Sequence, residues 1–240
     1  MSKYLLILAV PFLLASCAKK VIPPEDIELG LAYFPLEEGH FVEYEVDSII
    51  YDDFNLQIDT TSLKFRDEVD RSILDNEGRE SWVVNRLKRY NDNDPWVADH
   101  TYYVTKDNFK IEVQEQNLRF IKMVFPTKIN TRWYGNSYVS SLTNPEFRWL
   151  DDWQYEYTDI EQSFNTGHKN FKNTNSILQQ DYIEGQPSDP NAFSAYTYGK
   201  EVYAKNVGMV FKELTRWEYQ PSQVQFRKGF TLILRAKRHN

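Results

Sequence analysis

The stretch Phe41-Val42-Glu43-Tyr44-Glu45-Val46-Asp47-Ser48-Ile49-Ile50-Tyr51 decides the fold, because its side chains alternate with a period of two. One face of the extended chain begins with Val42, Tyr44 and Val46 and continues through Ser48 and Ile50. The residues between them place three acids on the other face. An alternation of this kind predicts a long β-strand with one face in a core and the other in solvent.

Similar patterns continue through the chain, separated by turns rich in Asp, Asn, Gly and Pro. Closely spaced strands with tight connections are typical of an antiparallel sheet. A short helix is predicted at Pro145–Leu150, with Asn144 as its cap. We therefore predict an all-β protein with few short helices and a single antiparallel curved sheet in one domain, residues 30–240. The further strands are predicted at 62–74, 82–90, 96–105, 109–114, 118–125, 153–160, 176–184, 193–204, 209–219 and 229–237.

Composition excludes several classes of protein. The 240 residues carry a formal net charge of −7, which argues against a nucleic-acid partner because such proteins present a basic surface. The single cysteine excludes an internal disulfide and a cysteine-based zinc site. Aromatic residues reach 15 %, and they lie mostly in or beside the predicted strands. We expect them to fill a core, with an aromatic-lined cleft for a lipid or glycan as the alternative.

The N-terminal segment has the order of a signal peptide. Lys3 is followed by an apolar run, Tyr4–Ala15, which is shorter than the about 20 residues that span a bilayer. Leu14-Ala15-Ser16-Cys17 resembles the lipobox of bacterial lipoproteins, in which the cysteine thiol receives a lipid and cleavage occurs just before it. The resemblance implies a signal peptide at 1–16, lipidation of Cys17 and an extended tether at 17–29. It places the protein in the cell envelope, on a membrane.

A second resemblance covers nearly the whole chain after the signal peptide. Tyr33-Phe34-Pro35-Leu36-Glu37-Glu38-Gly39 is similar to the opening Tyr-x-Pro-Leu-x-x-Gly motif of a group of Bacteroidetes lipoproteins, and Tyr203–Val210 resembles their late hairpin. Their strand pattern is similar to that of LolA-like lipoprotein carriers, which implies a half-barrel or open barrel. Because lysines follow Cys17 before any acid, the resemblance favours the periplasmic face of the outer membrane.

Motifs that carry chemistry are few. The sequence has neither a Gly-rich nucleotide loop nor a Walker motif, and its four histidines lack metal-ligand spacing. The strongest candidate for a ligand site is the cluster Trp149, Asp151, Asp152 and Trp153, since carboxylates and aromatic faces together suit a sugar ring. An ordinary acidic turn before an aromatic strand explains the same residues. We predict no catalytic residues, no metal and no cofactor.

Two other clusters favour structural roles. Arg86, Lys88 and Arg89 are interpreted as the solvent side of a strand, with contact to anionic lipid headgroups as the alternative. His100 is interpreted as a structural histidine whose ring is hydrogen-bonded within the protein.

The leading functional hypothesis is a membrane-anchored envelope lipoprotein, attached through Cys17, with a non-catalytic binding or scaffold role. Two alternatives stay open. One is a carrier of a hydrophobic ligand in an aromatic-lined half-barrel, and the other is a protein that binds or cleaves envelope glycans. An envelope protein, a lipid or a glycan is therefore the candidate partner, in addition to the membrane.

Overall fold

The computed structural model describes residues 28–142, 145–222 and 224–240. This part of the chain forms twelve strands and two short 3-10 helices, Leu31–Tyr33 and Pro145–Leu150. The strands, numbered in chain order, are β1 Phe41–Asp52, β2 Gln57–Leu74, β3 Glu80–Arg89, β4 Val97–Lys106, β5 Lys110–Glu115, β6 Leu118–Val124, β7 Arg132–Tyr134, β8 Gln154–Asn165, β9 Asn170–Gly185, β10 Ser194–Ala204, β11 Gly208–Gln220 and β12 Val224–His239.

All these strands belong to one antiparallel sheet with the order β6-β5-β4-β3-β2-β1-β12-β11-β10-β9-β8-β7. The two edge strands, β6 and β7, approach each other. The backbone N–H of Ile121 donates to the carbonyl of Gly135 at 2.7 Å, and Trp133 Nε1 donates to the carbonyl of Ile121 at 2.8 Å. The sheet therefore curls into a nearly closed barrel, which confirms the predicted all-β fold with a single curved antiparallel sheet.

Register shifts along the strands explain how the sheet curls. The pairing of β1 with β12 shifts between Glu43 and Tyr44, and that of β2 with β3 shifts between Val69 and Arg71. The pairing of β8 with β9 shifts three times. Each shift adds an unpaired residue to one strand, which increases the local twist and bends the sheet.

The structure extends several predicted strands. β8 ends at Asn165 rather than at residue 160, and β9 begins at Asn170 rather than at residue 176. These extensions are largely polar, so they lack the apolar alternation that marks a half-buried strand in sequence. Pro145–Leu150 is a 3-10 helix, and its predicted cap, Asn144, lies outside the described residues.

Aromatic side chains fill much of the barrel interior. Trp133 contacts Tyr155 and Tyr157, with ring centroids 5.7 and 4.9 Å apart. All three side chains are buried. Tyr203 is also buried, and Phe34 packs against it with ring centroids 5.7 Å apart. Much of the aromatic content is therefore core packing, and it leaves little room for an open lumen.

Residues 28–40, here called the plug segment, close one end of the barrel. Tyr33 inserts into the core and is 1 % exposed. Lys106 Nζ donates to the carbonyls of Leu31 and Phe34, both at 2.8 Å. The backbone N–H of Asn206 donates to the carbonyl of Ala32 at 2.7 Å. The plug segment is thus tied to strands and turns on several sides of the barrel.

The opposite end of the barrel carries the hairpin that joins β1 to β2. Residues 48–63 of this hairpin are here called the arm. β1 runs away from the plug segment, which immediately precedes it, so the arm lies at the end of the barrel farthest from the plug. Residues 54–62 are all exposed. The arm projects beyond β3, whose pairing with β2 extends only to Lys64, opposite Arg89.

Candidate functional site

The barrel holds a cavity of about 80 Å³ next to the plug segment. Phe34, Pro35 and Leu36 of the plug segment contribute to its apolar wall. The rest of the wall includes three acids and three bases, an unusual content for a barrel interior: Asp67, Glu115, Glu201, Arg86, Lys122 and Lys212.

Lys122 and Glu201 join β6 to β10 inside the barrel. Lys122 Nζ lies 2.7 Å from Glu201 Oε1, and Glu201 is 1 % exposed. The Tyr203 hydroxyl donates to Glu201 Oε2 at 2.7 Å, and Lys212 Nζ lies 3.6 Å from Oε1. Burial favours the neutral acid, but attraction to Lys122 and Lys212 and the two hydrogen bonds outweigh it and lower the pKa of Glu201 to about 2. Glu201 is therefore a carboxylate at neutral pH.

Arg86 forms a second buried ion pair. Its Nε and Nη2 atoms donate to the two carboxylate oxygens of Asp67 at 2.6 and 2.7 Å, a bidentate geometry that is stronger than a single contact. The Tyr102 hydroxyl donates to Asp67 Oδ2 at 3.1 Å. The interpretation of Arg86 as a solvent-side residue is wrong, because its parity in β3 places it inside the barrel, where Asp67 neutralises it.

The network continues from Arg86 toward the barrel surface. Arg86 Nη1 lies 3.6 Å from Glu115 Oε1, and that same oxygen lies 2.6 Å from His100 Nε2. His100 Nδ1 lies 2.8 Å from Asp99 Oδ2. The hydrogen bond with Glu115 is the main cause that raises the pKa of His100, with a further contribution from Asp99. Both ring nitrogens are therefore engaged within the protein.

The size and lining of the cavity limit what it can hold. Ligand pockets for small molecules usually measure about 300–1,000 Å³, whereas this cavity measures about 80 Å³. Its carboxylates all lie within 4 Å of a basic side chain. Within the described ranges, no group of three or more His, Cys, Asp or Glu side chains is placed to hold a metal ion.

Three of the four residues of the predicted ligand site line one groove of about 450 Å³ at the end of the barrel away from the plug. Trp149, Asp151 and Asp152 lie along it, with Tyr182 and Arg216 on the facing strands. The lining of the groove includes the start of β10, and β10 runs from the end opposite the plug toward the plug. The groove therefore lies at the end of the barrel away from the plug.

Trp153 lies beneath the groove rather than in it. Its side chain is 2 % exposed, and its Nε1 donates to the carbonyl of Trp149 at 2.7 Å. Its ring packs edge-on against the Trp149 ring, with centroids 5.7 Å apart. In this arrangement Trp153 supports Trp149, and the half-buried Trp149 and the exposed Tyr182 are the aromatic side chains open to a ligand.

Asp151 and Asp152 do not form a facing pair across one bond. Asp152 has a φ of 58°, which turns the chain sharply at this point. Both residues also border a second groove, of about 470 Å³, on the other side of the turn. Asp151 Oδ2 accepts a hydrogen bond from Ser141 Oγ. This geometry suits hydrogen bonding to a hydroxylated ligand better than acid–base catalysis, which requires two carboxyl groups on opposite sides of the reacting bond.

Sequence reasoning missed the interior ion pairs, although two signals were present. Glu201 stands beside an apolar run in β10, and Lys122 stands within the apolar strand β6. A charged residue at a core-facing position of a strand indicates a buried partner, because an unpaired buried charge is very costly. What the sequence does not show is which acid meets which base, since Lys122 and Glu201 are 79 residues apart.

Comparisons with known proteins give structural neighbours only. No family model matches the chain, and no curated protein matches it. A crystal structure from Bacteroides fragilis, described as an exported protein with a YmcC-like fold, has 13 % identity and a TM-score of 0.40; the match covers 86 % of this chain and 98 % of that one. A crystal structure from Parabacteroides distasonis, described as a lipoprotein, has 11 % identity and a TM-score of 0.33, covering 87 % and 98 %. None of the helices described here is long and apolar enough to cross a membrane.

Proposed function

We propose that this chain is a lipid-anchored protein of the bacterial cell envelope, with a non-catalytic binding or scaffold role. The lipobox-like Leu14-Ala15-Ser16-Cys17 supports the anchor. Cys17 itself lies outside the described residues. Ten residues separate it from Glu28, where the plug segment begins, so the chain between them spans at most about 40 Å. The tether therefore joins the barrel at its plugged end, and the arm and the groove lie at the opposite end.

The observation that carries the binding or scaffold role is the filled interior. A carrier needs an apolar lumen large enough for its ligand, and the cavity beside the plug segment measures about 80 Å³ and is lined by ion pairs. An acyl chain there would separate Lys122 from Glu201 and leave buried charges unpaired. The outer surface and the two ends of the barrel are therefore better placed than the lumen to meet a partner.

The anchor is tested by expressing Cys17→Ser in a bacterial host and separating membranes from soluble material. We expect the wild type in the membrane fraction and the variant in the soluble fraction, because several acyl chains make a durable anchor. Ser16→Ala is the matched control, since it keeps a small residue before the cysteine and should stay membrane-bound. Equal membrane retention of Cys17→Ser would reject the anchor.

The binding or scaffold role is tested against the carrier alternative by native mass spectrometry of the protein gently extracted from its own membrane. The filled interior predicts a polypeptide with its covalent lipid and no enclosed hydrophobic molecule. An extra non-covalent lipid on the β domain, also present in Cys17→Ser, would instead support the carrier function.

A second candidate function, glycan binding, is favoured by the groove. It gathers Trp149, Asp151 and Asp152 beside Tyr182 in about 450 Å³, within the usual range for a ligand pocket. Tryptophan fluorescence titrated with soluble peptidoglycan fragments tests it. Binding should be lost in Trp149→Ala and retained in Trp96→Ala, a tryptophan that lies under Arg89 on another part of the surface. Equal titration curves for both variants would reject the groove as the site.

A further inference from the structure

One segment of the sheet is paired on one side only. β2 pairs with β1 from Glu68, opposite Phe41, to Gln57, opposite Asp52. On its other side β2 pairs with β3 from Lys64 onward. In the part of the chain described here, no strand lies against the outer side of Gln57–Leu63. This segment, here called the free edge, is seven residues long.

The free edge lacks most of the devices that usually keep an exposed edge from pairing, and Asp59 is its one charged residue. Natural proteins guard such edges with lysine, proline, bulges or very short strands. The sequence Gln57-Ile58-Asp59-Thr60-Thr61-Ser62-Leu63 contains no lysine and no proline, and its register with β1 is unbroken. Its β-branched residues favour an extended chain. The backbone groups on its outer side are therefore available to another strand.

We propose that the free edge pairs with the free edge of a second copy of this chain, antiparallel, about a twofold axis at Thr60. The position of the axis follows from the length of the edge, because Thr60 is its midpoint. Any other register leaves part of the edge unpaired or runs into β3 beyond Lys64. This proposal goes beyond the proposed function and does not depend on the lipid anchor.

The side chains of this register are compatible with themselves. Thr60 faces Thr60, and each Asp59 faces Thr61, so the only charge in the edge does not face its own copy. Paired threonines stabilise antiparallel strands, whereas like charges directly opposite each other destabilise them. The remaining pairs set Ile58 against Ser62 and Gln57 against Leu63.

Exposed apolar side chains lie at both ends of the free edge. Phe54 and Leu56, at the tip of the arm, are 90 % and 59 % exposed. Tyr90 and Val97, where β3 ends and β4 begins, are 58 % and 48 % exposed. An antiparallel twofold brings the arm tip of one copy beside the end of β3 of the other. Both apolar sets then lose contact with water, and this happens twice in each dimer.

An extended segment of another protein is the competing occupant, since strand addition uses the same backbone groups. The position of residue 60 at the midpoint of the edge distinguishes pairing with a second copy from pairing with another protein. Only a second copy places residue 60 opposite itself, where the Cα atoms of an antiparallel pair lie about 4.5–5.5 Å apart. That distance permits a disulfide.

Thr60→Cys in the full chain, extracted from membranes in mild detergent and oxidised with diamide, tests the register. We expect a covalent dimer that reductant dissolves. Ser62→Cys is the matched control on the same exposed strand. Its two copies would lie about 13 Å apart, four residues out of register, so it should stay monomeric. The wild type, with Cys17 as its single cysteine, gives the background.

Sedimentation of the reduced protein provides a second measurement. We expect wild-type dimers and, for Thr60→Lys, a dimer dissociation constant raised at least about tenfold, because two ammonium groups then face each other. Circular dichroism confirms that the variant is folded. Equal cross-linking of Thr60→Cys and Ser62→Cys, or a monomeric wild type, would overturn the proposal. A monomer whose free edge is protected by a different protein would assign the edge to that occupant and overturn it as well.

Discussion

The plugged end of the barrel and the arm are built from the same sheet, yet they satisfy their backbone groups differently. At the plugged end, Lys106 and the backbone N–H groups of Thr127 and Asn206 all donate to plug-segment carbonyls. In the arm, β2 is bonded to β1 alone. The described plug segment is therefore held by bonds from the rest of the barrel, whereas the arm presents donors and acceptors to a partner.

Burial follows the same division. Tyr33 of the plug segment is 1 % exposed, whereas Phe54 of the arm is 90 % exposed. Stability is concentrated where apolar contacts and satisfied hydrogen bonds coincide, while surface segments with few contacts are free to bind. The comparison predicts that substitutions near the plug change the free energy of unfolding, and that substitutions in the arm change association.

The largest expected effect comes from removing the Tyr33 side chain, which holds the plug segment in the core. Tyr33→Ala leaves a large cavity in the core, and we expect the free energy of unfolding to fall by about 3–5 kcal/mol in urea titrations. The plug should also detach, which hydrogen exchange at Asn206 would report, since its N–H is bonded to Ala32.

Tyr33→Phe is the control for that experiment. The Tyr33 hydroxyl is buried without a hydrogen-bond partner among the described residues, so its removal should leave stability unchanged or slightly raised. A loss in Tyr33→Phe as large as that in Tyr33→Ala would show that the hydroxyl, and not the packing of the ring, holds the plug.

The second largest effect is expected when the protein is acidified. The ionised groups in the interior beside the plug segment should then contribute less to the free energy of unfolding. The pKa of Glu201 is lowered from 4.5 to about 2 in the folded barrel. Its contribution is therefore complete above pH 4.5 and is lost as the pH falls toward 2. Between pH 6 and pH 3 we expect Glu201 to account for a loss of about 2 kcal/mol in the free energy of unfolding.

Glu201→Gln isolates that contribution from those of the other carboxylates. The variant should be less stable at pH 6, because Lys122 loses its buried partner, and its stability should depend less on pH. The difference between the two proteins should narrow as the pH falls. A constant difference from pH 6 to pH 3 would mean that the Glu201 carboxyl is not ionised in the interior.

The fold class of this chain could be predicted from its sequence, but the closure of the barrel could not. The alternation in β1 predicts the all-β fold, because a period of two is a local property of the chain. Closure of the barrel depends on Ile121 meeting Gly135 across an irregular connection, and that contact has no local signal. For the same reason, the seven-residue overhang of β2 beyond β3 emerges only from the register.

The candidate ligand site was predictable in part. The acids and aromatics at 149–153 mark a turn, and Trp149, Asp151 and Asp152 do line a groove. Trp153, which directly follows the turn at Asp152, belongs to the core. The interior pairs were not predictable as pairs, since Arg86 and Lys122 meet their acids through the tertiary fold.

The smallest effect on stability is expected in the arm, at Phe54→Ser. Phe54 is nearly fully exposed, so the free energy of unfolding of the monomer should change by less than about 0.5 kcal/mol. Phe171, which is 5 % exposed, provides the matched comparison, and Phe171→Ser should cost several times more.

The effects on association should follow the opposite order, with a larger change in Phe54→Ser than in Phe171→Ser. If the arm tip packs against the end of β3 in a second copy, Phe54→Ser weakens the dimer although it leaves the fold unchanged, because the apolar surface that it removes is buried only on pairing. Phe171→Ser lies away from the free edge and should leave the dissociation constant of the folded protein unchanged. Measuring both quantities for both variants tests whether stability and binding are separated along the barrel. A Phe54→Ser protein that loses stability without losing association would show that the arm is part of the folded core.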